Sequence, residues 1–395
     1  MNYIKFCHYE APISSLTKME IENPYLVLAQ LVEKRSVEAF QNELFVLQDL
    51  VFREDKWRNY DPGNLYATYK DITRLIDVCY LINKYSPAIG SLIPQRASSP
   101  VDAQLMNDLN SIFAGIRRKN TTAAAKDPME VSGTFLNRFY KSHHLAFLKI
   151  DQFNFLQIGL DASYMANSKY EYFAIEECGL MFAFHDLTDL IAEGYLIHAK
   201  GKSSLPNLEG CTETAFAIDK SHPSHLCSES IAKPVDFLDG FFDYCLNSDF
   251  IYTGINAWHK MLYKTNVWKE GGNPGNLLYL SENIMKLIDT VWLLDKKGDL
   301  EKLIGKDFKA DKKYKSIISR RKKKEAEHPL IVIRSFFAFK KMYEWKVQLQ
   351  EWLECSLSND HKYTESNRNE TDRSFKHLLR FLEAAYLIYP VEGKR

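Results

Sequence analysis

Apolar residues recur along this chain at intervals of three and four, the period of a helix with one buried face. In HPLIVIRSFFAFKKMYEWKVQLQEWLECSL, Ile331, Val332, Phe336 and Phe337 follow Pro329 at that spacing. Trp345, Leu349, Trp352 and Leu353 form a second set. A proline suits the first turn of a helix, where its missing N–H costs nothing. Pro24 opens the same pattern, with Leu26, Val27, Leu31 and Val32 answered by Phe40, Leu44, Leu47 and Val51. Pro234 opens it again, with Phe237, Leu238, Phe241 and Phe242 answered by Ile251, Ile255 and Trp258. The segment after Pro128 is looser. Each pair of sets is followed by a longer apolar stretch that ends in one shared phrase, at 75–82, 190–197, 287–294 and 381–388. From the opening proline to the aromatic of the phrase the distances are 56, 67, 58 and 57 residues. The pattern predicts an all-α protein made of four copies of a three-helix unit. A unit of about 60 residues is seldom stable alone, so neighbouring units must cover each other's apolar faces.

Copies one and three are more alike than the others. At an offset of 212, residues 62–84 and 274–296 are identical at ten of 23 positions. Ser111-Ile112 leading to Arg117-Arg118-Lys119 matches Ser316-Ile317 leading to Arg320-Arg321-Lys322. Duplication of a pair of units explains both. The expected organisation is an N-terminal segment 1–20, a lobe 21–200 holding units one and two, a linker 201–232, and a lobe 233–395 holding units three and four. Two pseudo-symmetric lobes are expected, with an open superhelix as the alternative. Residues at one phase in all four copies serve shared packing, so Tyr80, Tyr195, Trp292 and Tyr386 are expected to anchor the core or the contacts between units.

Charge changes this picture only locally. Lys+Arg and Asp+Glu both total 51, so the global balance draws no polyanion. The seven cysteines are odd in number and form no CxxC, which fits reduced thiols in a cytoplasmic protein. No stretch approaches the roughly 20 apolar residues of a membrane span, and no signal-peptide core opens the chain.

Four groups of residues could carry chemistry. Arg138-Phe-Tyr-Lys-Ser-His143, followed by His144, resembles the Arg-then-His pattern of the HEPN family of ribonucleases. The resemblance covers six residues. It implies an Arg that stabilises phosphate charge and a His that acts as general acid or base on a ribose 2′-OH. The alternative is an Arg and a His on the surface of an amphipathic helix. His222, His225 and Cys227, with Cys211 further off, are ligand types that zinc accepts, although their spacing fits a loop between lobes equally well. Arg117, Arg118 and Lys119, together with Arg320, Arg321, Lys322, Lys323 and Lys324, form two basic spots that could track phosphates. Asp186 and Asp189 beside His185 could form a polar cluster on a helix surface. A di-iron site needs two Glu-x-x-His helices, and only Glu325 to His328 matches.

No phosphate-binding glycine loop, nucleophile elbow or zinc-helix motif is present, so no cofactor is expected. The expected function is a non-enzymatic helical-repeat scaffold or adaptor for a macromolecular partner, a protein rather than a nucleic acid. The alternative is a HEPN-like metal-independent ribonuclease using Arg138 and His143.

Overall fold

The computed structural model describes residues 15–52, 56–85, 135–143, 145–160, 177–201, 223, 225–226, 228–244, 248–269, 271–304, 328–359, 363 and 368–388. Among them the protein is all-helical, with fifteen α-helices and no strand. The first seven are α1 (Lys18–Glu22), α2 (Pro24–Lys34), α3 (Val37–Phe52), α4 (Pro62–Tyr85), α5 (Phe135–Ser142), α6 (Leu145–Leu160) and α7 (Glu177–Gly201). The remaining eight are α8 (Ser228–Ala232), α9 (Pro234–Tyr244), α10 (Ser248–Met261), α11 (Pro274–Lys297), α12 (Asp299–Ile304), α13 (Pro329–Phe339), α14 (Met342–Leu357) and α15 (Arg368–Ile388). A 3-10 turn, Lys56–Asn59, precedes α4.

Local chemistry fixes the helix ends. Thr17 Oγ1 accepts from the Glu20 N–H at 3.3 Å while Glu20 Oε2 accepts from the Thr17 N–H at 2.7 Å, a capping box that starts α1. Pro24, Pro274 and Pro329 each occupy the first turn of a helix. Asp61 Oδ1 accepts from the Gly63 N–H and Asn273 Oδ1 from the Gly275 N–H, both at 2.9 Å, so α4 and α11 start on the same cap. Gly298 ends α11 at φ +68, the left-handed conformation that glycine adopts without a Cβ penalty.

The long helices carry the core. Leu75, Ile76, Val78 and Cys79 of α4 and Leu287, Ile288 and Val291 of α11 are almost fully buried. Helix α4 packs against α6 and α14, and α11 packs against α14 and α6. These four helices form a ring, with α4 and α11 on one diagonal. Around it, α2, α3 and α7 lean on one side, α9 and α10 lie against α11, and α13 packs antiparallel on α15. Phe336 of α13 stacks on Phe381 of α15 at 4.1 Å, and on Trp345 of α14 at 4.1 Å. Such offset aromatic contacts add to the burial of their large apolar area. No helix among the described residues is long and apolar enough to cross a membrane.

Candidate functional site

Two ion pairs with buried carboxylates link neighbouring helices of the four-helix ring. Lys149 of α6 reaches Asp77 of α4, its Nζ lying 2.6 Å from Oδ1. Lys346 of α14 reaches Asp289 of α11, its Nζ lying 3.0 Å from Oδ1. Both carboxylates are fully buried. Each receives a further donor from the segment before a short helix. Ser15 donates its hydroxyl to Asp77 Oδ2 at 2.5 Å and its N–H at 3.4 Å, just before α1. His225 donates its N–H to Asp289 Oδ2 at 2.8 Å, just before α8. Burial pushes the Asp77 carboxyl up even though Lys149 and Ser15 pull it down. Desolvation therefore outweighs the attraction there.

Residues 61–63 and 358–359 tie α4 to α14 at one end of the ring. The Asn359 N–H donates to Asp61 Oδ1 at 3.2 Å. A Cβ on Gly63 would sit 2.8 Å from the Ser358 Cα, so this approach of two backbones needs a glycine. Lys70 of α4 pairs with Glu354 of α14 at 2.5 Å on the outer side of the same contact.

The residues singled out in the sequence fall in several places. His143 ends α5. Its Nδ1 faces the Phe139 carbonyl at 3.1 Å, and its Nε2 lies 3.1 Å from Asp186 Oδ2 on α7. Its ring stacks on Phe139 at 4.8 Å. Both ring nitrogens therefore face acceptors. His185 sits 4.0 Å from Asp186 and 3.8 Å from Asp189, completing a half-exposed polar cluster on α7. Arg138 lies in α5, but its side chain and all of His144 lie outside the described residues.

His225 is seated over Asp289, and its imidazole nitrogens have no hydrogen-bond partner among the described residues. Burial pushes its pKa down. His222, Cys227 and Cys211 lie outside the described residues, as do Arg117, Arg118, Lys119, Arg320, Arg321, Lys322, Lys323 and Lys324. No group of three or more His, Cys, Asp or Glu side chains among the described residues is placed to hold a metal ion. Cys79 and Cys355 are buried and form no disulfide, and burial pushes the Cys355 thiol up to about 11.

The four recurring aromatics are all half-buried. Tyr80 of α4 meets Tyr140 of α5 edge-on at 5.4 Å. The Tyr195 hydroxyl of α7 donates to the Arg35 carbonyl at 2.7 Å and to the Leu31 carbonyl at 3.2 Å, capping the end of α2. Tyr386 of α15 meets Phe242 of α9 edge-on at 5.3 Å. Lys296 lies over Trp292, 5.8 Å from its centroid.

Two features escaped sequence reasoning. The buried lysines were hidden, although Asp77 and Asp289 recur at the 212 offset inside an apolar phrase, where a charge needs a partner. The convergence of Lys340, Arg373 and His377 around Phe339 was also missed. Its signal is the i, i+3, i+4, i+7 spacing of Arg373, Lys376, His377 and Arg380.

No family model matches the chain, and neither the curated proteins nor the solved structures give a match.

Proposed function

We propose that the chain is a helical-repeat scaffold of four three-helix units, paired into two pseudo-symmetric lobes, that binds a protein partner and performs no chemistry of its own. Helix lengths support the repeat. They run 11, 16 and 24 residues in α2–α4, and 8, 16 and 25 in α5–α7. They run 11, 14 and 24 in α9–α11, and 11, 16 and 21 in α13–α15. The ring supports the pairing. If α4 corresponds to α11 and α6 to α14, the contact of α4 with α6 matches that of α11 with α14. The contact of α4 with α14 then matches that of α11 with α6.

One observation carries the functional reading. The fully buried carboxylates Asp77 and Asp289 each pair with one lysine of a neighbouring helix, Lys149 and Lys346, instead of converging with each other on a shared cleft. An active site needs such a convergence. His143, the candidate acid or base, is held at both ring nitrogens by Phe139 and Asp186. Exposed aliphatic groups favour a protein partner. Leu26 is 42% exposed and Ile331 55%, and each stands two residues after the proline that opens its helix.

The test is incubation of the full chain with labelled RNA at two salt concentrations, with Arg138→Ala/His143→Ala alongside. The expected result is no cleavage by either protein. Cleavage by the wild type that the double substitution abolishes would overturn the scaffold reading in favour of a HEPN-like ribonuclease. Cross-linking of the full chain in cells is expected to trap a protein partner.

A further inference from the structure

The corner where α13 turns into α14 gathers cations from two parts of the chain. Phe339 ends α13, and His377 of α15 stacks on its ring at 4.1 Å with the planes 8° apart. The Arg373 guanidinium lies 4.9 Å from the same ring centroid. Lys340 Nζ lies 5.8 Å from it and 5.9 Å from Trp345. Lys341, Arg373 and Lys376 are exposed. Acids answer this charge poorly. Glu370 pairs with Lys340 at 3.3 Å from an exposed position, and Lys340 also reaches Gln348 at 2.7 Å. Glu344 is engaged by the N–H of Lys341 at 2.6 Å. Arg373 and Lys376 have no carboxylate within ion-pair distance among the described residues. Burial and then the cations Arg380 and Arg373 push the pKa of His377 down. Like charges held this close cost stability in the free protein, and departures of this kind concentrate where a sequence serves function.

The surface beside the cations is aliphatic and small. Because α13 runs antiparallel to α15, with Phe339 level with His377 and Phe336 level with Phe381, its outward residues start at the stripe with Ala338 and continue through Ser335 to Ile331 toward the far end of α15. Arg334 on that face is already bound to Asp295 and Glu301. The aromatic faces at the corner are taken. Phe339 is covered by His377, and Trp345 stacks on Phe336 at 4.1 Å. Neither ring is available for base stacking, the usual source of affinity for single-stranded nucleic acid.

We infer that the α13–α15 face around Phe339 docks an acidic amphipathic helix of the protein partner, its carboxylates meeting Arg373, Lys376 and Lys341 and its aliphatic side meeting Ala338 and Ile331. An amphipathic helix laid on a helical groove is a recurring mode of recognition. The assignment rests on the scaffold reading above and names the chemistry of its partner.

The test uses the full chain and a fluorescently labelled amphipathic peptide of Glu and Leu as the probe, read by anisotropy at low and high salt. Arg373→Glu/Lys376→Glu is compared with the control Lys260→Glu, and thermal melting checks that all three fold. The expected result is salt-sensitive binding that the double reversal weakens by about tenfold or more and the control leaves unchanged. Peptide binding is also expected to raise the His377 pKa in an imidazole NMR titration, a response that a purely structural histidine would not give. Absent binding, or binding indifferent to the double reversal, would overturn the inference. So would displacement of the peptide by a single-stranded RNA of equal charge that binds more tightly. If the partner trapped in cells cross-links equally to the double variant, this face is wrong and the scaffold reading stands. If no protein is trapped by the wild type, the scaffold reading itself fails.

Discussion

Asp77 and Asp289, 212 positions apart, each anchor a lysine from a neighbouring helix of the four-helix ring, at 2.6 Å and 3.0 Å. Each also takes a backbone N–H, from Ser15 and from His225. The elevated pKa of Asp77 means that burial costs this carboxylate more than Lys149 returns. Such a pair is expected to fix which helices meet more than it stabilises the fold. Asp77→Ala alone strands Lys149 and is expected to cost about 3–5 kcal/mol in urea unfolding. Asp77→Leu/Lys149→Leu is expected to recover most of that loss, because neither charge is then left unpaired. A double variant as unstable as the single one would show that the pair contributes net stability.

Glycines test the packing by contrast. A Cβ at Gly63 would meet the Ser358 backbone at 2.8 Å, and backbone cannot swing aside. Gly63→Ala is expected to cost about 1–3 kcal/mol through overpacking. Gly240 lies within α9, and a Cβ there would have nothing within 4 Å. Gly240→Ala is expected to stabilise by about 1 kcal/mol from helix propensity. Chemical denaturation of both variants checks the opposite signs.

Stability should depend on pH through His259. Its Nε2 lies 2.9 Å from Asp372, and its ring stacks on Phe375 at 4.0 Å. Burial nonetheless outweighs the carboxylate and pushes the pKa down. The unfolded histidine, with a pKa of about 6.5, then binds protons that the folded one refuses. Its contribution is complete above that value and is lost as pH falls through 6.5 toward the lowered folded value. Melting temperatures of wild type and His259→Phe between pH 5 and 8 should converge or cross as the pH drops. A difference independent of pH would assign the effect to another group.

Tyr195 caps a helix from outside. Its hydroxyl serves the Arg35 carbonyl just past the end of α2 and shares the Leu31 carbonyl with the Arg35 N–H, at a helix end where carbonyls run out of partners within the helix. Tyr195→Phe keeps the ring and removes both bonds. The one hydroxyl proton is shared between the two carbonyls, so the expected cost is about 0.5–1.5 kcal/mol in total, with faster amide exchange in the last turn of α2 than elsewhere. Unchanged exchange there would remove the capping role.

Much of the fold was legible because helices announce themselves locally. The opening prolines Pro24, Pro234 and Pro329 and the spacing of Trp345, Leu349 and Trp352 lie within one turn of what they specify. Which helices pair was not legible, since Lys70 meets Glu354 and Asp61 meets Asn359 across most of the chain, and no local period encodes such pairing. Asp186 and Asp189 were readable as a helix-surface cluster with His185. That His143 joins them depends on how α5 docks on α7, which side-chain spacing does not reveal. The basic runs at 117–119 and 320–324 drew attention as consecutive charges. The corner around Phe339 did not, because its cations come from separate segments.

The most direct test of two equivalent halves sharing one centre is scanning calorimetry of the wild type, Asp77→Ala and Asp289→Ala. A shared four-helix centre gives one cooperative transition, lowered by a similar amount by either substitution. Two resolved transitions, with each substitution shifting only the one belonging to its own half, would contradict it.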